Sequence, residues 1–199
     1  MTTTIFLVRH AAHGQLGRVL SGRAPGLALS PEGRAQAGTL AARLRRAGVA
    51  AIYSSPIQRA LETAKPAAAA LDLPVIPMEE ITEIDFGTWT GQAFSDLDAD
   101  PRWHAWNVAR GLSRAPDGES MLEAQARAVA GLDRITHVHP GVAVAMFSHA
   151  DVIKAMLCAV LGLPLDSLHR FEIDPASVSR VVMGAWGAKV ASMNEGWAA

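Results

Sequence analysis

The feature that most constrains the fold is a run of four apolar residues at positions 5–8 that leads directly into Arg9 and His10. A continuous apolar run of this length predicts a strand buried on both faces, as in a parallel sheet covered by helices. Because a buried strand cannot readily continue into two ionisable residues, we expect Arg9 and His10 where the strand emerges. Ligands of open α/β sheets bind at that edge. The alternative is that both residues simply end a strand in solvent.

Strand and helix patterns alternate along the rest of the chain. Ser30-Pro31-Glu32 predicts a helix start, with a capping serine, a proline at the first helical position and an acid in the first turn. Ser54-Ser55-Pro56 predicts a second helix start in the same way. Further helices are predicted at 119–138, 150–163 and 165–170, and further strands at 49–53, 73–76, 142–147, 178–183 and 189–193. This alternation predicts a three-layer α/β/α sandwich with a mainly parallel central sheet.

The domain organisation expected for these 199 residues is a single domain, residues 1–199, with a helical, lid-like insertion at roughly 87–120. A long loop is predicted at 14–26, and loops of that length in compact domains are usually functional. Trp89, Trp103 and Trp106 fall within the insertion. They either line a substrate pocket or pack in the core, since tryptophan fills both roles.

Charge and cysteine content exclude several classes of function. The formal net charge of −1 gives no global field that would attract nucleic acid or an acidic membrane. The single cysteine, Cys158, allows no internal disulfide, so a reducing compartment is expected. No basic-then-apolar leader and no bilayer-length apolar run is evident. We therefore expect a cytoplasmic protein that binds neither nucleic acid nor membrane, with its oligomeric state open.

Three predicted strands end in residues that can act on a phosphate group. The first ends in Arg9 and His10, the second is followed by Arg59 on the next helix, and the strand at 142–147 is followed by His149. Parallel strands point their carboxyl ends the same way, so these four side chains are expected to converge. Two guanidinium groups and a helix N-terminus form an anion site, and two histidines within it favour phosphoryl chemistry. The alternative is a set of unrelated polar residues at strand ends.

Motifs spread over nearly the whole chain resemble, in the right order, the histidine phosphatase superfamily, also called phosphoglycerate-mutase-like. They are Leu7-Val8-Arg9-His10, Tyr53-Ser54-Ser55-Pro56 with Arg59-Ala60 and Thr63-Ala64, Glu83 with Phe86-Gly87-Thr88-Trp89-Thr90-Gly91, Pro116-Asp117-Gly118-Glu119-Ser120, and Phe147-Ser148-His149. The resemblance implies a phosphoglycerate-mutase-like fold and a phosphatase-type activity.

The resemblance also implies a covalent mechanism. His10 would attack phosphorus and carry the phosphoryl group, while Arg9, Arg59 and His149 would bind the phosphoryl oxygens in the transition state. Glu83 would protonate the leaving oxygen and then activate the water that releases phosphate. An attacking imidazole must be neutral, and two fixed arginines disfavour its protonated form.

The choice of Glu83 rests on its spacing to Phe86-Gly87, which is similar to the family pattern. Glu79, Glu80 and Asp85 lie nearby in the sequence. The alternative for each of these acids is a structural or surface carboxylate.

No metal or other cofactor is implied by this mechanism, because the arginines supply the positive charge. His137 and His139 have an alternating spacing that could chelate a metal ion. No third ligand lies close to them in the sequence, so we interpret them as loop histidines and predict no metal site.

The sequence departs from the family pattern directly after His10. Ala11 stands in place of the usual glycine, and Leu16 falls where the family has an asparagine, so one phosphate ligand is missing. Three residues of the same loop are candidates to replace it: His13, Gln15 and Ser21.

These observations predict a phosphatase that acts on small phosphomonoesters. One rival is a phosphoglycerate-type mutase, which needs extra basic residues for a second phosphate, and Arg102, Arg110 and Arg114 are available. A rival from another class is a module that binds phosphorylated ligands with little or no turnover. The substrate stays open among sugar phosphates, nucleotides, cofactor-biosynthesis intermediates and phosphoproteins.

Overall fold

The computed structural model describes residues 1–196 of the chain. Its centre is a sheet of six strands: β1 (Thr2–Arg9), β2 (Val49–Ser54), β3 (Val75–Pro77), β4 (Ala143–Ser148), β5 (Val178–Gly184) and β6 (Gly187–Glu195). The strand order is β3-β2-β4-β1-β5-β6. The first four strands in this order pair in parallel, and β5 and β6 extend the sheet with antiparallel pairing. The predicted mainly parallel sheet is therefore confirmed.

Six α-helices accompany the sheet: α1 (Pro31–Arg46), α2 (Gln58–Leu71), α3 (Phe94–Leu97), α4 (Pro101–Val108), α5 (Met121–Val138) and α6 (Ala150–Leu161). Helices α1 and α2 pack together and share one core cluster with the sheet, while α5 and α6 share the other. Short 3₁₀ turns lie at Glu79–Ile81, Gly87–Trp89 and Leu165–Arg170. The predicted three layers are present.

Strand β1 shows why the sheet needs helices on both faces. Ile5 and Leu7 lie in the core cluster beneath α5 and α6, and Phe6 and Val8 lie in the cluster beneath α1 and α2. Successive strand residues point to opposite faces, so an unbroken apolar run contributes to two cores at once. Burying these side chains away from water stabilises the sheet by roughly 1.5–3 kcal/mol per large residue.

The two predicted helix starts have different outcomes. Ser30 caps α1 as predicted, because its hydroxyl accepts a hydrogen bond from the backbone N–H of Gly33 at 3.0 Å. The start predicted at Ser54-Ser55-Pro56 is wrong, since Ser54 is still in β2 and α2 begins at Gln58. Ser55 continues along the sheet, because its N–H donates to the carbonyl of Phe147 in β4, and its hydroxyl contacts the N–H of Ile57 and Nε2 of His149.

The segment at 87–120 carries α3 and α4 and an aromatic cluster. Trp89 and Trp106 are fully buried, with ring centroids 6.0 Å apart, and Trp103 packs edge-on against Trp89. Of the two sequence-based alternatives for these tryptophans, core packing is the one observed. Phe86 and Phe94 flank the cluster and also line a cavity at the carboxyl edge of the sheet.

None of the helices formed by residues 1–196 is long and apolar enough to cross a membrane. The lone cysteine, Cys158, is buried in α6 among apolar side chains. The expected cytoplasmic location stays a prediction.

Candidate active site

The carboxyl ends of β1, β2 and β4 lie side by side at one edge of the sheet. Arg9 is in register with Ser148, and Ser54 is in register with Phe147. This pairing brings together residues that are far apart in the sequence around a cavity of about 350 Å³. The polar side chains that line it are Arg9, His10, His13, Ser21, Arg59, Glu83 and Asp151. His149 is fully buried and contacts three of these residues: His10, Arg59 and Glu83.

The tautomer of His10 is fixed by its own loop. Its Nδ1 lies 2.9 Å from the carbonyl oxygen of Ala11. A carbonyl oxygen only accepts hydrogen bonds, so Nδ1 carries the proton and Nε2 retains its lone pair. Nε2 is therefore the nitrogen that can act as a nucleophile.

The protonation state of His10 is set by burial and by its neighbours. Only 3% of the residue is exposed. Burial lowers the pKa of His10 well below 6.5, and the positive charges of Arg59 and Arg9 lower it further. His10 is therefore neutral at physiological pH, which is the form that an attacking imidazole requires.

Arg59 is buried and Arg9 is half-buried, and several of their N–H groups have no acceptor among the described residues. Arg59 is 1% exposed, and its NH2 donates to the carbonyl of Gly22 at 2.8 Å. Within the described residues, Nε and NH1 of Arg59 and Nε of Arg9 have no hydrogen-bond partner. Buried donors without partners are rare because desolvation is unfavourable. A bound anion with several oxygens would satisfy them.

Glu83 completes the ring of charges around His10. Its Oε2 lies 3.4 Å from NH2 of Arg59 and 3.4 Å from Nδ1 of His149. Burial raises the pKa of Glu83, although the charge of Arg59 opposes this shift. A carboxyl group with a raised pKa can hold a proton closer to neutral pH and donate it to a departing oxygen.

The second histidine is held by hydrogen bonds at both ring nitrogens. NH2 of Arg59 donates to Nδ1 of His149 at 3.1 Å, so Nε2 is the protonated nitrogen and donates to Oγ of Ser55 at 2.8 Å. The ring centroids of His149 and His10 are 5.2 Å apart. Burial, followed by the charge of Arg59, lowers the pKa of His149 well below 6.5.

Of the three loop residues predicted to replace the missing phosphate ligand, the structure places two in the cavity and one outside it. His13 and Ser21 are buried and line the cavity, and the ring centroid of His13 lies 5.4 Å from that of His10. Gln15 is exposed and does not line the cavity, so the loop does not bring it to the site. The backbone turns at that point, since the N–H of Gln15 donates to Nδ1 of His13 at 3.3 Å.

The backbone after His10 is held in place by two helices. The N–H of Ala11 donates to Oγ1 of Thr63 in α2, and the N–H of Ala12 donates to Oε1 of Gln36 in α1. Helix α1 approaches so closely that a Cβ on Gly33 would lie 2.0 Å from the carbonyl oxygen of Ala12. Only glycine fits at that position. Ala11 does not have a positive φ, so its side chain introduces no backbone strain.

Three neighbours of the site were not among the predicted site residues. Asp151 lines the cavity two residues after His149. Arg127 and Glu119 hold the segment that carries Glu83, because Arg127 NH2 donates to the Glu83 carbonyl at 3.2 Å and pairs with Glu119 at 3.0 Å. Asp151 follows the Ser148-His149 motif after one residue, Ala150, but the direction of its side chain depends on how α6 begins.

No group of three or more His, Cys, Asp or Glu residues in the described part of the chain is arranged to hold a metal ion. His137 is exposed, and His139 hydrogen bonds through Nε2 to the hydroxyl of Tyr53 at 2.9 Å. The arginines that a second phosphate would need do not line the cavity either. Arg102 and Arg114 are exposed and paired with Asp100 and Glu123, and Arg110 is buried beside Asp151.

Sequence and structure comparisons relate this chain to known proteins. The sequence model of the histidine phosphatase superfamily (branch 1) matches residues 5–196. The chain belongs to the histidine phosphatase superfamily. It is 34% identical over 184 residues to phosphoserine phosphatase 1 of Hydrogenobacter thermophilus, covering 90% of this chain and 86% of that protein.

Two further relatives of this histidine phosphatase superfamily member are matched over different shares of their own length. Bifunctional protein Rv2228c of Mycobacterium tuberculosis is 38% identical over 191 residues, covering 94% of this chain and 52% of that protein, so the chain spans about half of its length. The structure of Bacillus stearothermophilus YhfR superimposes with a TM-score of 0.90 at 29% identity, covering 97% of each chain.

Proposed function

We propose that this protein is a phosphatase that hydrolyses small phosphomonoesters through a covalent phosphohistidine on His10. The observation that carries the proposal is the placement of a neutral imidazole with an available Nε2 beside the guanidinium groups of Arg9 and Arg59, three of whose nitrogens have no hydrogen-bond partner within residues 1–196. A phosphoryl group presents the oxygens that these donors require. Membership of the superfamily and the similarity to a phosphoserine phosphatase support phosphoester chemistry.

In the first step, Nε2 of His10 attacks phosphorus and forms an N–P bond while the ester P–O bond breaks. The departing oxygen takes its proton from the carboxyl group of Glu83. Arg9 and Arg59 stabilise the negative charge on the phosphoryl oxygens as it shifts in the transition state. An alkoxide is a poor leaving group, and proton donation of this kind typically contributes about 10²–10⁴-fold in rate.

In the second step, the carboxylate of Glu83 accepts a proton from a water molecule that attacks phosphorus. The N–P bond breaks, His10 recovers its lone pair and inorganic phosphate leaves. Glu83 donates a proton in the first step and accepts one in the second, and His10 forms and then breaks the N–P bond. The proposed reaction uses no metal ion or other cofactor. Glu83 is suited to both roles because it lines the cavity with His10, and its Oε2 lies 3.4 Å from NH2 of Arg59.

The phosphate ligand missing from the loop is replaced in this proposal by His13, assisted by Ser21. The backbone N–H of Gln15 donates to Nδ1 of His13, so the proton of His13 is on Nε2, which can donate to a phosphate oxygen. Ser21 lines the same cavity and makes only a long hydrogen bond of 3.4 Å within its own loop. Gln15 has no part in this proposal because it lies outside the cavity.

The test is phosphate release from a panel of phosphorylated metabolites in the presence of a chelator. Wild type is expected to release phosphate, and His10→Ala is expected to lose the activity entirely. His137→Ala, which removes an exposed histidine far from the cavity, is the matched control and should keep full activity. Rapid quenching of the wild type should trap one acid-labile phosphoryl group on His10.

The two rival functions predict different results in the same experiment. A mutase would isomerise a phosphoglycerate when primed with a bisphosphoglycerate and release little phosphate. A binding module would bind inorganic phosphate without any rate that depends on His10. Either result, or a trapped phosphoryl group on another residue, would overturn the phosphatase proposal.

A further inference from the structure

Asp151 lies in the active-site cavity, although the phosphatase reaction gives it no role. It stands in the first turn of α6, two residues after His149, and is one of the cavity's lining residues. Its negative charge acts on the pKa of both Arg9 and Glu83, which places it beside the reacting groups. A carboxylate is unexpected in a cavity that binds a phosphate, because like charges repel.

One oxygen of Asp151 is held firmly and the other is available. Oδ2 accepts a hydrogen bond from NH1 of Arg110 at 2.7 Å. Oδ1 accepts no hydrogen bond from any residue between positions 1 and 196, and 28% of the side chain is exposed. Oδ1 of Asp151 is therefore able to accept a hydrogen bond from a molecule in the cavity.

Arg110 fixes the position of Asp151 without reaching the cavity itself. It is 7% exposed, its NH2 donates to Oδ1 of Asn107 at 2.9 Å, and its guanidinium lies 5.1 Å above the ring of Trp106. It does not line the cavity. Trp106 of the aromatic cluster thus packs against Arg110, and Arg110 in turn holds Asp151 at the wall of the cavity.

Asp151 is ionised at neutral pH. Burial acts to raise the pKa of Asp151, but the charge and hydrogen bond of Arg110, together with the charges of Lys154 and Arg9, outweigh burial, and the net pKa is lowered. The cavity also has apolar lining residues, with Phe86, Phe94 and Leu20 among them. A substrate group that reaches Asp151 therefore meets an anionic acceptor.

We propose that Asp151 determines substrate specificity by accepting a hydrogen bond from an ammonium or hydroxyl group of the substrate. The proposal rests on the phosphatase function and narrows its substrate class. Favoured substrates are phosphomonoesters with a hydrogen-bond donor close to the ester, above all a cationic one. Esters that carry a carboxylate or a second phosphate there are disfavoured, because Asp151 would repel them. This preference also separates the protein from a phosphoglycerate-type mutase.

The test compares three small esters of similar size: phosphoethanolamine, 2-hydroxyethyl phosphate and phosphoglycolate. They carry an ammonium, a hydroxyl and a carboxylate at matching positions. Specificity is measured as kcat/KM or, for an ester that is not turned over, as its inhibition constant against p-nitrophenyl phosphate. Wild type should rank the ammonium ester first and the carboxylate ester last.

Asp151→Asn should lower the preference for phosphoethanolamine over phosphoglycolate by about 10-fold or more, the effect of losing one charge-assisted hydrogen bond. p-Nitrophenyl phosphate has no group for Asp151 to bind and is the reference ester: kcat/KM for phosphoethanolamine should fall by about 10-fold more than kcat/KM for p-nitrophenyl phosphate. Arg110→Gln should weaken the preference in the same direction, because Asp151 loses the partner that fixes its position and lowers its pKa. Asp133→Asn removes an exposed carboxylate outside the cavity and should change nothing.

Failure of this inference is distinguishable from failure of the phosphatase function. If wild type hydrolyses phosphomonoesters in a His10-dependent way but Asp151→Asn leaves the ratio of the three esters unchanged, the specificity role is wrong. A variant that loses activity equally on every ester, p-nitrophenyl phosphate included, would also overturn it, because such a loss indicates a structural role. Absence of any His10-dependent hydrolysis would instead contradict the phosphatase function.

Discussion

Two arginine-rich cavities of this protein hold their charges in different ways. At the carboxyl edge of the sheet, Arg59 is 1% exposed and two of its guanidinium nitrogens have no partner among the described residues. The second cavity, about 470 Å³, is lined by Arg43, Arg46 and Arg180, and there Arg43 and Arg180 are partly exposed and both pair with Glu195. The second cavity is larger and contains more arginines.

The two cavities differ in the burial and the pairing of their arginines, and the number of cations does not account for this contrast. A guanidinium that is solvated and already paired with a carboxylate gains little from a further anion. A buried one with unsatisfied donors gains the hydrogen bonds that it lacks in the folded protein. Substitutions in the two cavities can test this contrast directly.

The strongest effect on kcat/KM is expected when a carboxylate is removed from the first cavity and, as a control, from the second. Glu83→Gln should lower kcat/KM for alkyl phosphates by about 10²–10⁴-fold, because the leaving oxygen loses its proton donor. The loss should be smaller for formation of the phosphoenzyme from p-nitrophenyl phosphate, whose leaving group needs no proton. Glu195→Gln is the matched control and should retain wild-type kinetics. A Glu83→Gln protein with full activity on alkyl phosphates would remove Glu83 from the mechanism.

The next prediction compares an arginine of each cavity, Arg59 and Arg43. Arg59→Lys keeps the charge but loses the planar fork of donors, and kcat/KM should fall by about 10²–10³-fold, as for the loss of one transition-state donor. Inorganic phosphate should raise the melting temperature of the wild type and fail to do so in this variant. Arg43→Lys should behave like wild type in both assays. Equal losses in the two variants would mean that burial does not distinguish the cavities.

A smaller effect concerns the pH dependence of stability. Burial, followed by the charges of Arg59 and Arg9, lowers the pKa of His13 from 6.5 to about 4. Between these values the unfolded chain binds a proton that the folded chain does not, so His13 makes stability fall as the pH falls. Removing it with His13→Gln should flatten the slope by at most about 1.4 kcal/mol per pH unit. Urea unfolding at several pH values measures the slope. Exposed His104 is the control, and an equal change in His104→Gln would contradict the assignment.

The smallest effect is expected on stability in the second cavity, where Arg43 and Arg180 pair with Glu195. Arg43→Met should lower the free energy of unfolding by less than about 1 kcal/mol, because its ion pair with Glu195 is partly exposed and screened by solvent. Denaturant midpoints in low and high salt check this, since high salt should shrink the difference further. A loss of several kcal/mol would mean that this cavity is as well desolvated as the first.

Much of the fold and the core of the site could be predicted from local signals. The apolar run before Arg9 and the run before Ser148 identify buried parallel strands. Because such strands run in the same direction, the residues at their carboxyl ends lie at one edge of the sheet. His10, Arg59 and His149 meet there for that reason. The capping serine of α1 is equally local, because Ser30 needs only its own backbone to cap the helix.

Other features depended on contacts between distant segments. The start of α2 was mispredicted because Ser55 stays hydrogen bonded to Phe147 in β4. Gln15, His13 and Ser21 are equivalent candidates in a loop sequence, and only the path of the folded loop places two of them in the cavity. Asp151 gave no sequence signal that separates it from an ordinary acid in the first turn of a helix.

Local sequence patterns were sufficient to predict the class of fold and the residue types that reach one sheet edge, because strand periodicity and helix caps act over a few neighbouring residues. The packing of the layers establishes which nitrogen of each histidine carries a proton, which arginines lack partners among residues 1–196 and which loop residues face the cavity. Those properties depend on burial and on hydrogen-bond partners far apart in the chain, and they arise only when the layers pack together.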